Sequence, residues 1–600
     1  MQIALSILYF VSYFAAFISI LLFPKETKSQ NGVTWIPIAF FLLMSFDGLV
    51  AGICTILHIP VGLVSQGIGN ILLTITLAIL GRRRGGAQSL SFSRRDVIFF
   101  VVFTLIALIV MRTEFGSDIS PRYLVTDPIN HFRRSLMIFF DGAVSNMYQA
   151  WNFIATAIGV ASGFVRFDMY YKVYCLCDAL FWYFGGLLFY SVACSLLNRP
   201  NKEVLAGVFS VLYALGYPLV SVVWGFCYLG VGVSFSLLAV YFTQHVIIKK
   251  GGFVLFGLAL SLYGVVTSYI LFAPLVYAST FISIMTSCLK TRRPSRNVIP
   301  ICLLVFIIPG FLGSWFFYVG TLQSGTITIA SALDNEGGIY RNLYSNLVPF
   351  APLFLVALWQ YIIHRRVLNR VHALMLLITL IFYILLLIPT YTHIFSTYYL
   401  AKLMFLIWPL ALLLATEGVA MVLELPGKVL LSCYAVVMAF LGVMAVGQID
   451  LKIGEAYQPI GLGTPSSNHP YLDVYNWTYQ QVRFRSYINP DVWDLCHQAS
   501  DYIEDGEEVP VIAAGMYSGW YCDITCQLKE VRKIRSSTDE WRSTVNEVIS
   551  DGYEYLTVIT IDFRDQGNDG AAEASEYLLS LEGAKIVYQN SAGYILQLPN

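Results

Sequence analysis

The chain has 600 residues, with 37 Lys+Arg against 37 Asp+Glu, and is 57% hydrophobic but only 12% charged. That charged share is about half of the roughly 25% usual in soluble domains, and with a mean hydropathy of +0.67 it excludes a soluble globular enzyme. The zero net charge hides a division: residues 1–449 hold 27 Lys+Arg and 14 Asp+Glu, residues 450–600 hold 10 and 23, and the sums return 37 and 37. A basic membrane part is expected to precede an acidic soluble domain, and no nucleic acid is expected as a partner.

Apolar runs of the roughly 17–25 residues that a helix needs to cross a bilayer recur along the first three quarters. They predict about fourteen spans, near 3–23, 34–57, 61–81, 97–112, 172–197, 204–224, 227–248, 253–271, 273–289, 298–319, 347–363, 373–390, 401–423 and 429–448. Trp224-Gly-Phe226 alone separates the sixth from the seventh, so that pair also reads as a re-entrant or broken helix. Met1-Gln-Ile-Ala-Leu5 lacks a basic start and no small-residue cleavage site follows, so the first span reads as an anchor.

Basic residues fall on alternate connections: Arg82 to Arg84 with Arg94 and Arg95, then Arg199 and Lys202, Lys249 and Lys250, Lys290 to Arg296, and Arg365, Arg366 and Arg370. Lys25, Lys28 and Lys428 fit the same side. The positive-inside rule makes these connections cytoplasmic. The N-terminus, the loop after 112, the stretches 321–346 and 391–400 and the whole tail are then extracytoplasmic. Within the long segment 113–168, Met147–Phe164 reads as a helix lying along the interface; as a span it would reverse every later loop.

The most chemical stretch follows the apolar run Val97–Val110: Tyr123-Leu-Val-Thr-Asp-Pro-Ile-Asn-His-Phe-Arg-Arg134. A carboxylate at the mouth of a span is a candidate general base, and Pro128 biases Asp127 away from helix. Asn130 and His131 are candidates to orient a substrate, and Arg133 and Arg134 to bind phosphate through paired donors. The competing structural account makes Thr126 or Asp127 the cap of a short helix that Pro128 begins, with the arginines meeting lipid headgroups. Asp47 and Asp178 lie deep in apolar runs, where an ionisable group is costly. Asp178 lies within about two turns of its span's outer end, near enough to approach Asp127. Asp334-Asn-Glu-Gly-Gly-Ile-Tyr-Arg341 reads as a connecting loop or a gate.

The tail opens with a Gly/Pro/Ser-rich linker, 459–470. Helices 491–503, 540–550 and 571–581 then alternate with strands 509–514, 555–561, 584–588 and 593–598, which argues for a small α/β domain with a largely parallel sheet. Gly515-Met-Tyr-Ser-Gly519 lacks the spacing and the Lys of a phosphate loop. Most cysteines lie in apolar spans, where a thiol is a small hydrophobe. In the tail, Cys496 with Cys522 or Cys526, or those two together, leave three disulfide pairings open. Asn476-Trp-Thr478 matches a glycosylation sequon.

This layout, an outer loop that begins with an Asp, interfacial helices, further spans and an exported α/β domain, resembles the membrane glycosyltransferases of the GT-C fold, among them the protein mannosyltransferases and the lipid A aminoarabinose transferase. The resemblance covers roughly residues 97–600, with residues 1–90 an N-terminal addition, 91–448 the GT-C-like core and 449–600 the extracytoplasmic domain. Thr126-Asp-Pro-Ile-Asn-His131 is similar to the family's Asp-Glu-x-x-His-like string, but Pro128 stands where the family often has a second acid. Base identity and a divalent metal therefore stay open. The resemblance implies transfer of a sugar from a polyprenyl-phosphate donor to a lipid, glycan or protein acceptor at the outer face. Asp127 is then the base and His131, Arg133 and Arg134 position substrate. Lys402, where the family commonly has an Arg at the outer start of a late span, holds the donor phosphate as a point charge; otherwise it snorkels to the interface. His393 and the Tyr398-Tyr399 pair line the same pocket, or the tyrosines belong to an aromatic belt. The alternatives are a polysaccharide polymerase or ligase, a flippase or transporter, which tends to show two matching halves, and a scaffold whose tail binds another envelope protein.

Overall fold

The computed structural model describes residues 1–23, 30–83, 90–117, 119–120, 127–197, 199, 201–248, 251–290, 302–323, 344–391, 397–423, 434–435, 490–502, 509–513, 528–533, 538–561 and 569–599. All but residues 434–435 of the span expected at 429–448, together with the 331–343 loop, the 459–470 linker, the 476–478 sequon, Gly515–Gly519, Cys522, Cys526 and His393, lie outside the described residues.

Twelve helices occupy the first half: α1 (Gln2–Leu22), α2 (Gly32–Ile56), α3 (Leu63–Arg83), α4 (Arg94–Phe115), α5 (Asp127–Asp141), α6 (Gln149–Ala161), α7 (Tyr170–Leu196), α8 (Lys202–Leu215), α9 (Tyr217–Trp224), α10 (Cys227–Ile248), α11 (Gly252–Ser268) and α12 (Ala273–Lys290). Then come α13 (Ile308–Phe317), α14 (Ala351–Ile363), α15 (Val371–Tyr391) and α16 (Thr397–Val422). Among the described residues eleven helical segments are long and apolar enough to span a bilayer, and α11 and α14 are shorter apolar helices. The chain is therefore a polytopic α-helical membrane protein.

Burial divides the spans. Of the best apolar window, 89% is buried in α16 and 83% in α10, against 17% in α4 and 33% in α1 and α3. The first pair forms the centre of the bundle; the others face the lipid. The expected span 204–224 is broken into α8 and α9 at Gly216, where a Cβ would sit 2.8 Å from the indole nitrogen of Trp408 on α16. The expected interfacial helix 147–164 is α6. Its 13 residues span about 20 Å, and Gln149, Trp151, Asn152, Ile154 and Ile158 are buried. It is walled in by α1, α2, α5 and α7 instead of lying open on the lipid surface.

The tail's described part is a five-stranded sheet of β3 (Val509–Ala513), β4 (Leu528–Lys533), β5 (Tyr555–Ile559), β6 (Lys585–Gln589) and β7 (Gly593–Gln597), while β1 (Gln30–Asn31) and β2 (Leu90–Ser91) pair in the membrane part. The order is β4-β3-β5-β7-β6. Pairings β3·β4 and β3·β5 are parallel, β5·β7 and β6·β7 antiparallel, so the sheet is mixed where a largely parallel one was expected. β4 (Leu-Lys-Glu-Val-Arg-Lys) escaped the sequence reading because a charged edge strand has no apolar run; charge is how an edge is kept from pairing with other chains. The period of two in β3 sends Val511 and Ala513 to one face and Ile512 to the other. α17 (Pro490–Ser500) covers the first face with Leu495 and Cys496; α18 (Thr538–Ser550) and α19 (Asp569–Ser580) cover the second with Val545 and Leu578.

α17 ties the sheet to the membrane part. The Trp493 ring stacks on Tyr171 at 4.5 Å and 3°, and its indole N–H donates to Ser120 Oγ at 3.1 Å. Arg166 and Asp501 pair at 3.2 Å, but their side chains are 63% and 52% exposed, so that pair contributes little. The domain thus docks beside the end of α4 and the start of α7. Trp493→Ala is expected to weaken the docking by about 1–3 kcal/mol; hydrogen exchange would show lost protection in 490–500 and 167–174 with α10 and α16 unchanged.

Candidate functional site

Asp127 opens α5, and Pro128 supplies a preset backbone for its first turn. The Pro128 ring lies against Gly225, the left-handed residue (φ 72°) that ends α9; a Cβ at Gly225 would collide with that ring. This fixes the start of α5 on the α9–α10 turn. One face of α5 is buried through Ile129, Phe132 and Leu136, while Asn130, Arg133 and Arg134 are exposed.

Lys402 is on the first turn and a half of α16 and is only 2% exposed. Its ammonium donates to the Tyr228 hydroxyl and stands over the rings of Phe226 at 4.4 Å, Tyr228 at 4.9 Å and Tyr269 at 5.6 Å. Three aromatic faces and a hydroxyl make a partial cage for the cation. Asp127 is the carboxylate in its field: burial raises the Asp127 carboxyl above the usual carboxylate range, and the Lys402 charge pulls it back. Two residues about 275 apart in sequence thereby share one site.

His131 lies one turn beyond Asp127, with its ring 4.6 Å from Tyr228. The Trp151 N–H donates to His131 Nδ1 at 3.2 Å, so the ring carries its hydrogen on Nε2. Burial, then Lys402 and Arg134, push the imidazole down to about 3, so it is neutral at physiological pH. Nε2 is buried and has no hydrogen-bond partner among the described residues. His131 is therefore an N–H donor aimed from α5, where the sequence suggested only a polar residue able to orient substrate.

Asp178 does not join this site. It is buried in α7, and the charged group acting on it is Glu114, at the end of α4. It lines a small separate cavity with Trp182, Ser221 and Ser234. Among the described residues no three His, Cys, Asp or Glu side chains converge as a metal set would. The sequence reading missed Phe226, Tyr228, Tyr269, Trp151 and Gly225. The Trp224-Gly-Phe226 interruption was the available signal, and an aromatic at a span's outer end was indistinguishable from a belt residue.

The site and fold together define a polytopic membrane protein with a C-terminal α/β domain and an acid–lysine pair at one end of its bundle. No family model matches the chain, and no curated protein matches it by sequence. The chain is similar to the solved structure of ArnT from Cupriavidus metallidurans in the apo state, with 12% identity, a TM-score of 0.49, and coverage of 83% of this chain and 98% of that one. It is also similar to ArnT from Cupriavidus metallidurans bound to undecaprenyl phosphate, with 11% identity, a TM-score of 0.47, and coverage of 84% and 98%.

Gly225→Ala is expected to cost about 1–2 kcal/mol for the left-handed backbone alone and to displace Pro128 as well. Thermal unfolding of the purified protein would show the loss, and any activity assigned to Asp127 should fall with it.

Proposed function

We propose that this chain is an inverting membrane glycosyltransferase that moves a sugar from a polyprenyl-phosphate-linked donor to a lipid, glycan or protein acceptor at the extracytoplasmic face. The observation that carries the reading is the Lys402 ammonium, held 2% exposed inside the bundle with Asp127 in its field. A cation withdrawn from water has lost hydration worth several kcal/mol, so an anionic group brought to it regains much of that attraction.

The chemistry follows from these positions. Asp127, as carboxylate, takes the proton of the acceptor hydroxyl. The acceptor oxygen forms a bond to the anomeric carbon while the bond from that carbon to the phosphate oxygen breaks. The polyprenyl phosphate leaves with the electron pair, and its growing charge is held by Lys402. His131 Nε2–H donates to a sugar or phosphate oxygen. Arg133 and Arg134, exposed on α5, meet the outer phosphate or the headgroups around it. His393 belongs to the same proposed pocket by its place in the sequence; Asp178 is left out of it. The extracytoplasmic orientation is supported by the alternation of basic loops. That alternation places the start of α5, the 225–226 turn, the 269–272 turn and the start of α16 on one side, and the residues of the Lys402 cage come from these four segments.

Asp127→Asn is expected to lower transfer from polyprenyl-phosphate-linked sugars by about 10²–10⁴-fold with thermal stability kept; undiminished product in proteoliposomes excludes the role. The pH profile carries a second sign. A base works deprotonated, so activity falls as pH drops through the raised Asp127 value. Lys402 lowers that value, so Lys402→Met should move the acid limb of the profile to higher pH, as measured on whatever residual rate remains. An unmoved limb would detach Lys402 from Asp127.

A further inference from the structure

A cavity stands apart from Asp127. It has a volume of about 260 Å³ and lies among α1, α3, α6 and the far end of α5. Its polar lining is Gln2, Ser65, Gln66, Asn152 and Thr156, and among the described residues no charged side chain is in its wall. Asp127 and Ile138, which also lines it, are eleven residues apart on α5, about 16 Å along the helix.

The polar wall is built, not incidental. Gln66 Nε2 donates to Asn152 Oδ1 at 2.9 Å, and Thr156 donates to Gln66 Oε1 at 2.7 Å. Gln2 reaches across from α1 to Ser162 at 2.9 Å. The periodicity of two helices carries this surface inward: Asn70 lies one turn beyond Gln66 on α3, and Gln149 one turn before Asn152 on α6. Both polar atoms of Gln149 are buried without a hydrogen-bond partner among the described residues, whereas Asn70 is engaged with Asp47 and Tyr9 and Tyr9 donates to Asp47 Oδ2 at 3.2 Å. A buried amide left without a partner is costly, so Gln149 fits a position served by water or by a ligand hydroxyl.

We propose that this cavity is a second ligand site, for an uncharged, hydroxyl-rich group: a single glycosyl unit. Side-chain amides both donate and accept, as sugar hydroxyls do. With no cation in the wall, an anionic headgroup would lose its hydration without return. Leu5, Val61, Leu63 and Phe139 supply apolar surface for the ring's C–H face or for a lipid stem. The site is independent of the transferase reading, since binding here asks nothing of Asp127. The two sites share a wall, however: on α6, Trp151 bonds His131 while its neighbour Asn152 lines the cavity.

The test is retention of monoglucosyl diacylglycerol by the full-length protein in a detergent without a sugar headgroup, read by native mass spectrometry. Wild type and Asp127→Asn should retain it equally. Asn152→Leu, which removes a wall amide, and Leu5→Trp, which fills the mouth from a half-buried position and leaves the buried amides in place, should each weaken retention about tenfold or more. Competition by free methyl glucoside would show that the glycosyl unit alone is recognised, and its failure that the lipid-borne form is; either supports the site. Equal retention by wild type and Leu5→Trp, or phosphatidylglycerol held as tightly as the glucosyl lipid, would overturn it.

Discussion

A lysine ammonium in the interior of a helical bundle is the constraint around which this structure is arranged. Withdrawing that charge from water costs several kcal/mol even after relaxation, and Lys402 is 2% exposed. What offsets the cost comes from distant parts of the chain: the Tyr228 hydroxyl, the faces of Phe226, Tyr228 and Tyr269, and the Asp127 carboxylate. To bring them together, the start of α5, the α9–α10 turn, the turn before α12 and the start of α16 must meet at one end of the bundle. Gly225 permits the contact with Pro128 because a side chain there would block it, and Gly216 leaves room for Trp408 beneath. Electrostatics sets the requirement and small residues make it geometrically attainable.

Much of this was legible in the sequence, for identifiable reasons. Span positions follow from the length of apolar runs, and the helices α1 to α4, α7, α10 and α15 lie close to where those runs place them. The alternation of basic loops predicts Asp127 and Lys402 on one side, and in the fold each stands in the other's field. Two features were illegible because local signals are blind to them. α6 is apolar and short, which describes a membrane-surface helix and a buried one equally well; only its neighbours decide, and they bury it. Phe226, Tyr228 and Tyr269 look like belt aromatics because recognition of a cation depends on where the rings face, a property of tertiary packing. Asp178 was expected near Asp127 by its depth along α7, but depth fixes one coordinate of three, and its face turns it toward Glu114.

The histidine shows how environment rewrites a residue's role. An unperturbed histidine titrates near neutrality, and the sequence marks His131 only as a polar residue able to orient substrate. In place, burial and two nearby cations keep it neutral, and the Trp151 N–H occupies its acceptor nitrogen. What is left is a directed N–H. The α5–α6 pair thus presents a carboxylate and a neutral donor beside Lys402 at one end and, at the other, an uncharged amide-lined cavity. The charged end suits a phosphate and a proton transfer; the amide end suits hydroxyl groups.

The central claim is that Lys402 holds the donor phosphate with the Asp127 carboxylate in its field. The direct measurement is the affinity of purified wild type, Lys402→Met and Asp127→Asn for a polyprenyl phosphate. Loss of the cation should weaken binding, and loss of the neighbouring negative charge should strengthen it. Equal affinity in all three proteins would contradict the account.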